Sequence, residues 1–504
     1  IAWSAMGDEW FDNVATSIDT ATELGMRPWA YDENGWPSGF GSGLVNGLGL
    51  EYQQKYLRCE ETETAVKNDN TIINLPYQDK NLHFYYEVNP FYVDTLDGEV
   101  ISEFIRVTHN AYKEKLDDEF CDMAGFFTDE PQISRNGYPW SFILEKEYIK
   151  AYGEPLATKL TDLFYNTETS SQTRYNFFKL ITHLFSENFM NNIYKWCQSN
   201  GSALTGHLVL EEGLWDQILS NGACMPHYEY MTIPGMDNLG RMLNRIECEM
   251  QLSSVANQLG KKQILSETFA ACGWNVSFEE LLWIYEHQMV HGINLLCQHL
   301  EGYTLRGIRK RDYPATLFKQ QPWWNDYRVF NDKVSRIGML IAEGKIEHEI
   351  LVLHSADSAW ANFDINSRDY ALKLTSEMLD VMNRLERNQL QYHLGDATIM
   401  ERHAKVENGK ITIGTQSYSV VVVPPADCLA KNTVKLLKEF KRTDGLVIFT
   451  GRVPTMIDGY VTNEIMEFSK ECVTMYVEFL YDRACIAPKN KGVIYSYGTF
   501  EEPF

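Results

Sequence analysis

The tightest constraint on this chain is an alternation. Over residues 1 to about 325, short apolar runs are separated by stretches with helical spacing. Asp8 to Leu24 places Phe11, Val14, Ile18 and Leu24 on one helical face and stops at Gly25, a C-terminal breaker. Strand-like runs follow at Met26–Tyr31, Met123–Thr128, Ser202–Val209, Tyr228–Thr232, Gln263–Ser266 and Ile293–His299. Helical sequence fills Gly98–Phe120, Trp140–Gln198, Leu214–Ser220, Leu239–Leu259 and Ser277–His291. Between Tyr52 and Asn89 the pattern is β-rich. Its first part, about 52–82, reads as a small inserted sheet, and its end, His83–Val88, as one more core strand. Strands and helices at this spacing imply parallel β-α units. About seven strands are counted, so residues 1–330 are expected to form a (β/α)8 TIM-type barrel whose first strand lies upstream of Ile1.

A second α/β domain is expected over 345–460. Glu349–His354, Ser419–Val423 and Gly445–Thr450 are continuous apolar runs, as strands buried on both faces require, with helical sequence at Leu372–Leu390 and Lys431–Lys441. The character is doubly wound, flavodoxin-like or amidotransferase-like. Cys428 lacks the flanking glycines of a nucleophile elbow and no G-x-G-x-x-G cradle is present, so the domain reads as a packing or homo-oligomerisation element without a catalytic cysteine. Residues 461–504 read as an irregular tail or the start of a further domain.

Charge narrows the partners. With 45 Lys+Arg against 69 Asp+Glu, the net charge of -24 repels nucleic acid. The basic residues Arg306, Arg309, Lys310 and Arg311 read as a solvated loop that offsets nearby acids. No apolar run approaches the ~20 residues that span a bilayer, so no membrane partner is expected. Ten scattered cysteines without a C-x-x-C argue against a zinc ribbon or a disulfide scaffold and lean towards a reducing, cytoplasmic setting.

Polar residues gather after the strand-like runs, where an α/β barrel carries its chemistry. Tyr31-Asp32-Glu33-Asn34-Gly35-Trp36-Pro37-Ser38-Gly39 follows the first, and Asp129-Glu130-Pro131 follows the next of the barrel. Gly206-His207 leads to Glu211-Glu212, and Thr232-Ile233-Pro234-Gly235 to Asp237. Ser266-Glu267 precedes Cys272-Gly273-Trp274, and the last run gives His299, Glu301 and Tyr303. Singly, an Asp-Glu after a strand is a turn or helix cap, and His207, Trp36 or Trp274 is a packed side chain. Glu130 and Glu267 differ because each ends a strand in an acid-rich rim, and Pro131 is expected to hold Glu130 extended. Two or three carboxyls in an aromatic-lined cleft without a phosphate loop fit glycoside hydrolysis. One carboxyl stays protonated as acid, and a second stays ionised as nucleophile or as base for water.

The Tyr31–Gly39 run resembles the signature of glycoside hydrolase family 106, the α-L-rhamnosidase-type enzymes. The Phe127–Pro131, Gly206–Glu211, Pro234–Asp237, Ser266–Trp274 and His299–Tyr303 stretches match in order. The match spans roughly 1–325, and the second domain resembles the one that follows the barrel in that family. The resemblance implies an inverting hydrolase of terminal α-L-rhamnosyl residues with a calcium ion near its site; no cofactor is expected to be obligatory. Carried over, Glu130 is the general acid and Glu267 or Glu211 the base. Asp32, Glu33, His207, Asp237 and His299 bind sugar or metal by the same carry-over; beside it, Trp36, Asp129, Trp274 and Tyr303 of the rim are expected to complete the substrate cleft. Two alternatives stay open: a retaining glycosidase with Glu267 as nucleophile, and a carbohydrate-binding barrel without turnover.

Overall fold

The computed structural model describes residues 6–475 except 242, 244, 245, 300, 302, 303, 308–310, 312 and 315. The chain divides into two units, residues up to 164 with 177–345, and 165–176 with 346 onward.

In chain order the strands of the first unit are β1 (Trp29–Tyr31), β2 (Gln53–Thr62), β3 (Thr71–Tyr77), β4 (Lys80–Val93), β5 (Gly125–Asp129), β6 (Tyr138–Trp140), β7 (Ala203–His207), β8 (Ile233–Asn238), β9 (Leu265–Thr268) and β10 (Leu295–Gln298). Six of them form one sheet in the order β1-β5-β7-β8-β9-β10, and every neighbouring pair is parallel. Strictly sequential parallel order with intervening helices is the winding of a TIM-type (β/α)8 fold, and the described residues of the first unit form six of its strands, a half-barrel. Parallel strands of such a sheet are largely covered, which favours apolar residues in them, as in β5 and β10. Phe126 of β5 is fully buried, with the rings of His109, Tyr112 and Trp196 at 4.4, 5.5 and 5.8 Å on its helical side.

Two sequence expectations are corrected. His83–Val88 is not a barrel strand. It lies within β4, which pairs antiparallel with β2 along ten residues in a second sheet ordered β3-β4-β2-β6. The inserted sheet therefore runs past residue 82 to Val93 and recruits β6. Tyr228–Thr232 is not a strand either. Pro226 sits at the start of a helical turn, Met225–Tyr228, where its missing N–H is no loss, and the strand begins five residues later at Ile233. The stretches 98–120 and 140–198 are each broken into several helices, with 185–191 in π-helical geometry.

In the second unit the parallel strands Tyr392–Gly395, Ile350–Leu353, Val420–Val423, Leu446–Thr450 and Val473–Met475 neighbour one another in that order. In chain order this is 2-1-3-4-5, the flavodoxin-like doubly wound arrangement. The helix Glu464–Ser469 and the strand 473–475 continue this unit into the stretch read from sequence as irregular. Cys428 is buried and accepts the Gly459 N–H at 3.2 Å, and burial pushes its thiol pKa up, which keeps it protonated and inert. The described cysteines are free thiols. Among the described residues no helix is long and apolar enough to cross a membrane.

Candidate active site

At the C-terminal ends of β5, β7, β8 and β9 the backbones crowd together. A Cβ on Gly206 would lie 1.9 Å from the Thr128 carbonyl oxygen, and one on Gly235 would lie 2.3 Å from that of Gly206. Glycine at these positions lets the strand ends close up, and the next side chains, Asp129, His207 and Asp237, share one mouth. Glu130 follows with φ +48°, held by an N–H donated to the His207 carbonyl at 3.2 Å. The expectation that Pro131 keeps Glu130 extended is thus overturned. Left-handed backbone is uncommon for a glutamate and is retained where the surroundings fix it, as at functional sites.

His207 is 2% exposed and organises the carboxylates. Its Nε2 lies 2.7 Å from Glu267 Oε2 and 3.4 Å from Asp129 Oδ1. His299 Nε2 stands 3.9 Å from the other Glu267 oxygen. One oxygen each of Glu130 and Asp237 lies within 4.8 Å of a His207 ring nitrogen and of one another. Trp36 Nε1 donates to Glu130 Oε2 at 2.8 Å, and the Tyr31 hydroxyl donates to Asp129.

The protonation pattern follows from this geometry. Burial raises the pKa of Glu130, and Asp129 adds to the rise. Asp129 and Asp237 are raised for the same reason, burial foremost. Glu267 goes the other way: burial opposes ionisation, but the His207 hydrogen bond and the charges of His207 and His299 outweigh it and lower its pKa. Reciprocally, burial disfavours a charged His207, yet the Glu267 bond with Asp237 and Asp129 nearby raises its pKa well above the ordinary value. The mouth therefore pushes the two carboxyls apart, Glu130 towards its protonated form and Glu267 towards its ionised form, the direction that separates an acid from a base or nucleophile.

Of the residues singled out from sequence, Glu130, Glu267, Asp129, His207, Asp237, His299 and Trp36 come together here. Others do not. Glu33 turns into its own loop, where its oxygens accept the N–H groups of Gly41 and Ser42 at 2.6 Å each and of Asn34 at 3.0 Å. Asp32 is buried against the Ser38 hydroxyl. Neither presents a carboxylate for sugar. Glu211, proposed as an alternative base, is 2% exposed and accepts Tyr228 Oη at 2.7 Å and the Asp237 N–H at 3.0 Å. Burial lifts its pKa to about 7. It fixes the backbone of Asp237 and is closed to an attacking water. Trp274 is 43% exposed on the loop after β9. Tyr303 lies outside the described residues, as do Arg309 and Lys310 of the basic loop.

Sequence reading passed over three supports. The Ser38 hydroxyl donates to Asp32 and accepts the Asp129 N–H at 2.7 Å, so the first loop clamps the end of β5. The buried Tyr92 hydroxyl donates to the Ser38 carbonyl at 2.6 Å and accepts the Gln132 N–H at 3.3 Å, tying the segment beyond Glu130 to the same loop. Tyr31 stood inside a conspicuous motif, but nothing in the sequence pointed to its hydroxyl or to Tyr92.

Calcium takes six to eight oxygen ligands. The two donor sets of the described residues, Asp129/His207/Glu267 and Glu130/His207/Asp237, both depend on the same imidazole, which is already engaged by Glu267 at 2.7 Å. A single nitrogen donor shared by both sets does not fit calcium.

No protein-family model matches the chain, and no curated protein matches it in sequence. Solved structures do. The rhamnosidase from Novosphingobium sp. PP1Y matches with a TM-score of 0.56 and 13% identity over 77% of this chain and 38% of that one. The β-galactosidase from Bacillus circulans sp. alkalophilus gives 0.57 and 12% over 90% of this chain and 65% of that one. A catalytic mutant of a family 42 β-galactosidase from G. stearothermophilus gives 0.56 and 12% over 92% and 67%. The chain thus spans under two fifths of the rhamnosidase and about two thirds of the galactosidases. At such identities the likeness shows the fold alone.

Proposed function

We propose that the chain is a glycoside hydrolase in which Glu130 is the general acid and Glu267 its ionised partner. The observation that carries this reading is the opposite perturbation of two glutamates around one imidazole, Glu130 raised and Glu267 lowered. Glu130 protonates the departing glycosidic oxygen, and Trp36 holds the acid by its indole N–H. Glu267, kept anionic by His207, activates a water on the opposite face of the sugar. The transition state carries oxocarbenium-like positive charge, which the surrounding carboxylates favour. The likeness of barrel and motifs to α-L-rhamnosidases supports a terminal α-L-rhamnoside as substrate and inversion as outcome.

The test is hydrolysis of α-L-rhamnosides followed by NMR of the first product. Inversion releases β-L-rhamnose; α-L-rhamnose would instead assign Glu267 as a nucleophile in a retaining mechanism. Glu130→Gln is expected to lower turnover by about 10²–10⁴ on a glycoside with an alkyl leaving group, the usual range for acid catalysis. The loss should be smaller on a nitrophenyl glycoside, whose phenolate departs without a proton. Equal losses on both substrates would remove Glu130 from the acid role, and full activity of Glu267→Gln would refute the mechanism.

A further inference from the structure

Between Glu130 and β6 runs a short loop that is held on several sides. Ile133 donates its N–H to the Ser220 carbonyl at 2.8 Å and accepts Gln54 Nε2 at 2.9 Å. The Ser134 hydroxyl donates to the Gly137 carbonyl at 2.7 Å, closing the turn, and Gly137 adopts φ +113°. This braced turn presents Arg135 to solvent. The guanidinium lies over the ring of Trp36, 5.1 Å from its centroid, and the same indole donates to Glu130. Among the described residues the Arg135 guanidinium makes no ion pair and no hydrogen bond, although the chain carries a large excess of acids. Arg135 also acts on Glu130 through its charge.

Such a cation has a direction. The general acid addresses the glycosidic oxygen, so the indole and guanidinium next to it border the leaving group, with the aromatic face of Trp36 shared between them. Guanidinium donors form a planar fork that matches carboxylate and sulfate oxygens, and an arginine stacked on an aromatic ring keeps those donors free at its edge. Resting on the glycosidase reading of this mouth, we propose that Arg135 selects an anionic sugar, a uronosyl or sulfated residue, as the leaving group of the substrate. A neutral leaving group would use the indole and leave the fork unpaired.

Calorimetric binding to the intact chain tests this with three probes: methyl β-D-glucuronide, D-galactose 6-sulfate and the neutral methyl β-D-glucoside. At low salt the wild type is expected to bind one anionic probe at least about tenfold more tightly than the neutral one, the worth of a charge-assisted pair. Whichever anion it is distinguishes carboxylate from sulfate. Arg135→Gln should reduce that preference to less than threefold, and Arg135→Lys should restore part of it. A net charge of -24 works against any anion, so non-specific attraction cannot mimic the result. Equal binding of all three probes by wild type, no binding of any, or a preference untouched in Arg135→Gln overturns the proposal. A role of Arg135 in packing Trp36 alone would weaken all probes alike and equally overturns it. The outcome is separable from the reaction itself: inactivity of wild type on glycosides would sink the hydrolase while the binding preference would stand.

Discussion

Removing the His207 cation should shift the acid limb of the activity profile upward, by an amount that the geometry sets. His207 Nε2 approaches Glu267 at 2.7 Å, whereas His299 stays at 3.9 Å and remains after the substitution. A hydrogen bond to a charged group contributes about 1.5–3 kcal/mol, and one pKa unit corresponds to about 1.4 kcal/mol, so its loss raises the Glu267 pKa by about one to two units. His207→Ala removes both charge and donor and should approach the upper value. His207→Gln can keep a neutral donor, roughly half as strong as a charged one, and should move the limb by about one unit. Because Glu267 must be ionised to act, a higher pKa means that activity on the acid side fails at higher pH. The assay is kcat/KM against pH, whose limbs report groups of the free enzyme. An acid limb that stays in place in both variants, or moves to lower pH, would refute the assignment of Glu267 as the ionised partner and of His207 as its counter-charge.

Other consequences are open to measurement. Glu211 has a folded pKa of about 7 against an ordinary 4.5, so its contribution is fully present below about pH 4.5 and is lost as pH rises through 7. The difference of about 2.5 units amounts to about 3 kcal/mol. Glu211→Gln should flatten the fall of the denaturant midpoint between pH 5 and 8, and an unchanged slope would show that Glu211 does not titrate there. Tyr92→Phe leaves the buried Ser38 carbonyl and Gln132 N–H without their partner, a cost of about 1–3 kcal/mol. It should lower kcat more than it changes KM, since the segment beyond Glu130 loosens; a loss confined to KM would contradict the bracing role. Exhaustive chelation should leave turnover within about twofold of the untreated protein, because the His207-centred donor sets do not suit calcium. Loss of activity with chelator, restored by calcium, would show that oxygen ligands outside these sets hold the ion.

Much of the fold could be read from local pattern. A parallel strand covered on both sides favours apolar residues, so Gly125–Phe127, Ala203–Leu204 and Ile264–Leu265 stand out, and each gives way to polar residues towards the C-terminal end of its strand. That break is why Asp129, Glu130, His207 and Glu267 stood out. The pattern misled where two kinds of apolar strand look alike. His83–Val88 is as apolar as a barrel strand, but its partner is β2, and pairing is a property of distant residues. Likewise Tyr228–Thr232 is β-like in composition, but a helical turn with Pro226 at its start runs to Tyr228 and the strand begins only at Ile233.

Within the site, sequence determined which residue types stand at the strand ends, since strand length and the polar break are local. It could not say which carboxylates face one another. Asp32, Glu33 and Glu211 sit in equally acidic motifs, yet Glu33 is consumed by backbone N–H groups of its own loop and Glu211 by Tyr228 and the Asp237 N–H. Only the tertiary structure decided that Glu267 hydrogen-bonds the imidazole that Glu130 merely neighbours, while Glu130 takes an indole N–H and is raised by burial. The physical reason is that a pKa is set by burial and by charges a few ångströms away, and those neighbours come from strands about sixty residues apart in the chain, brought together by parallel strand pairing rather than by any local rule.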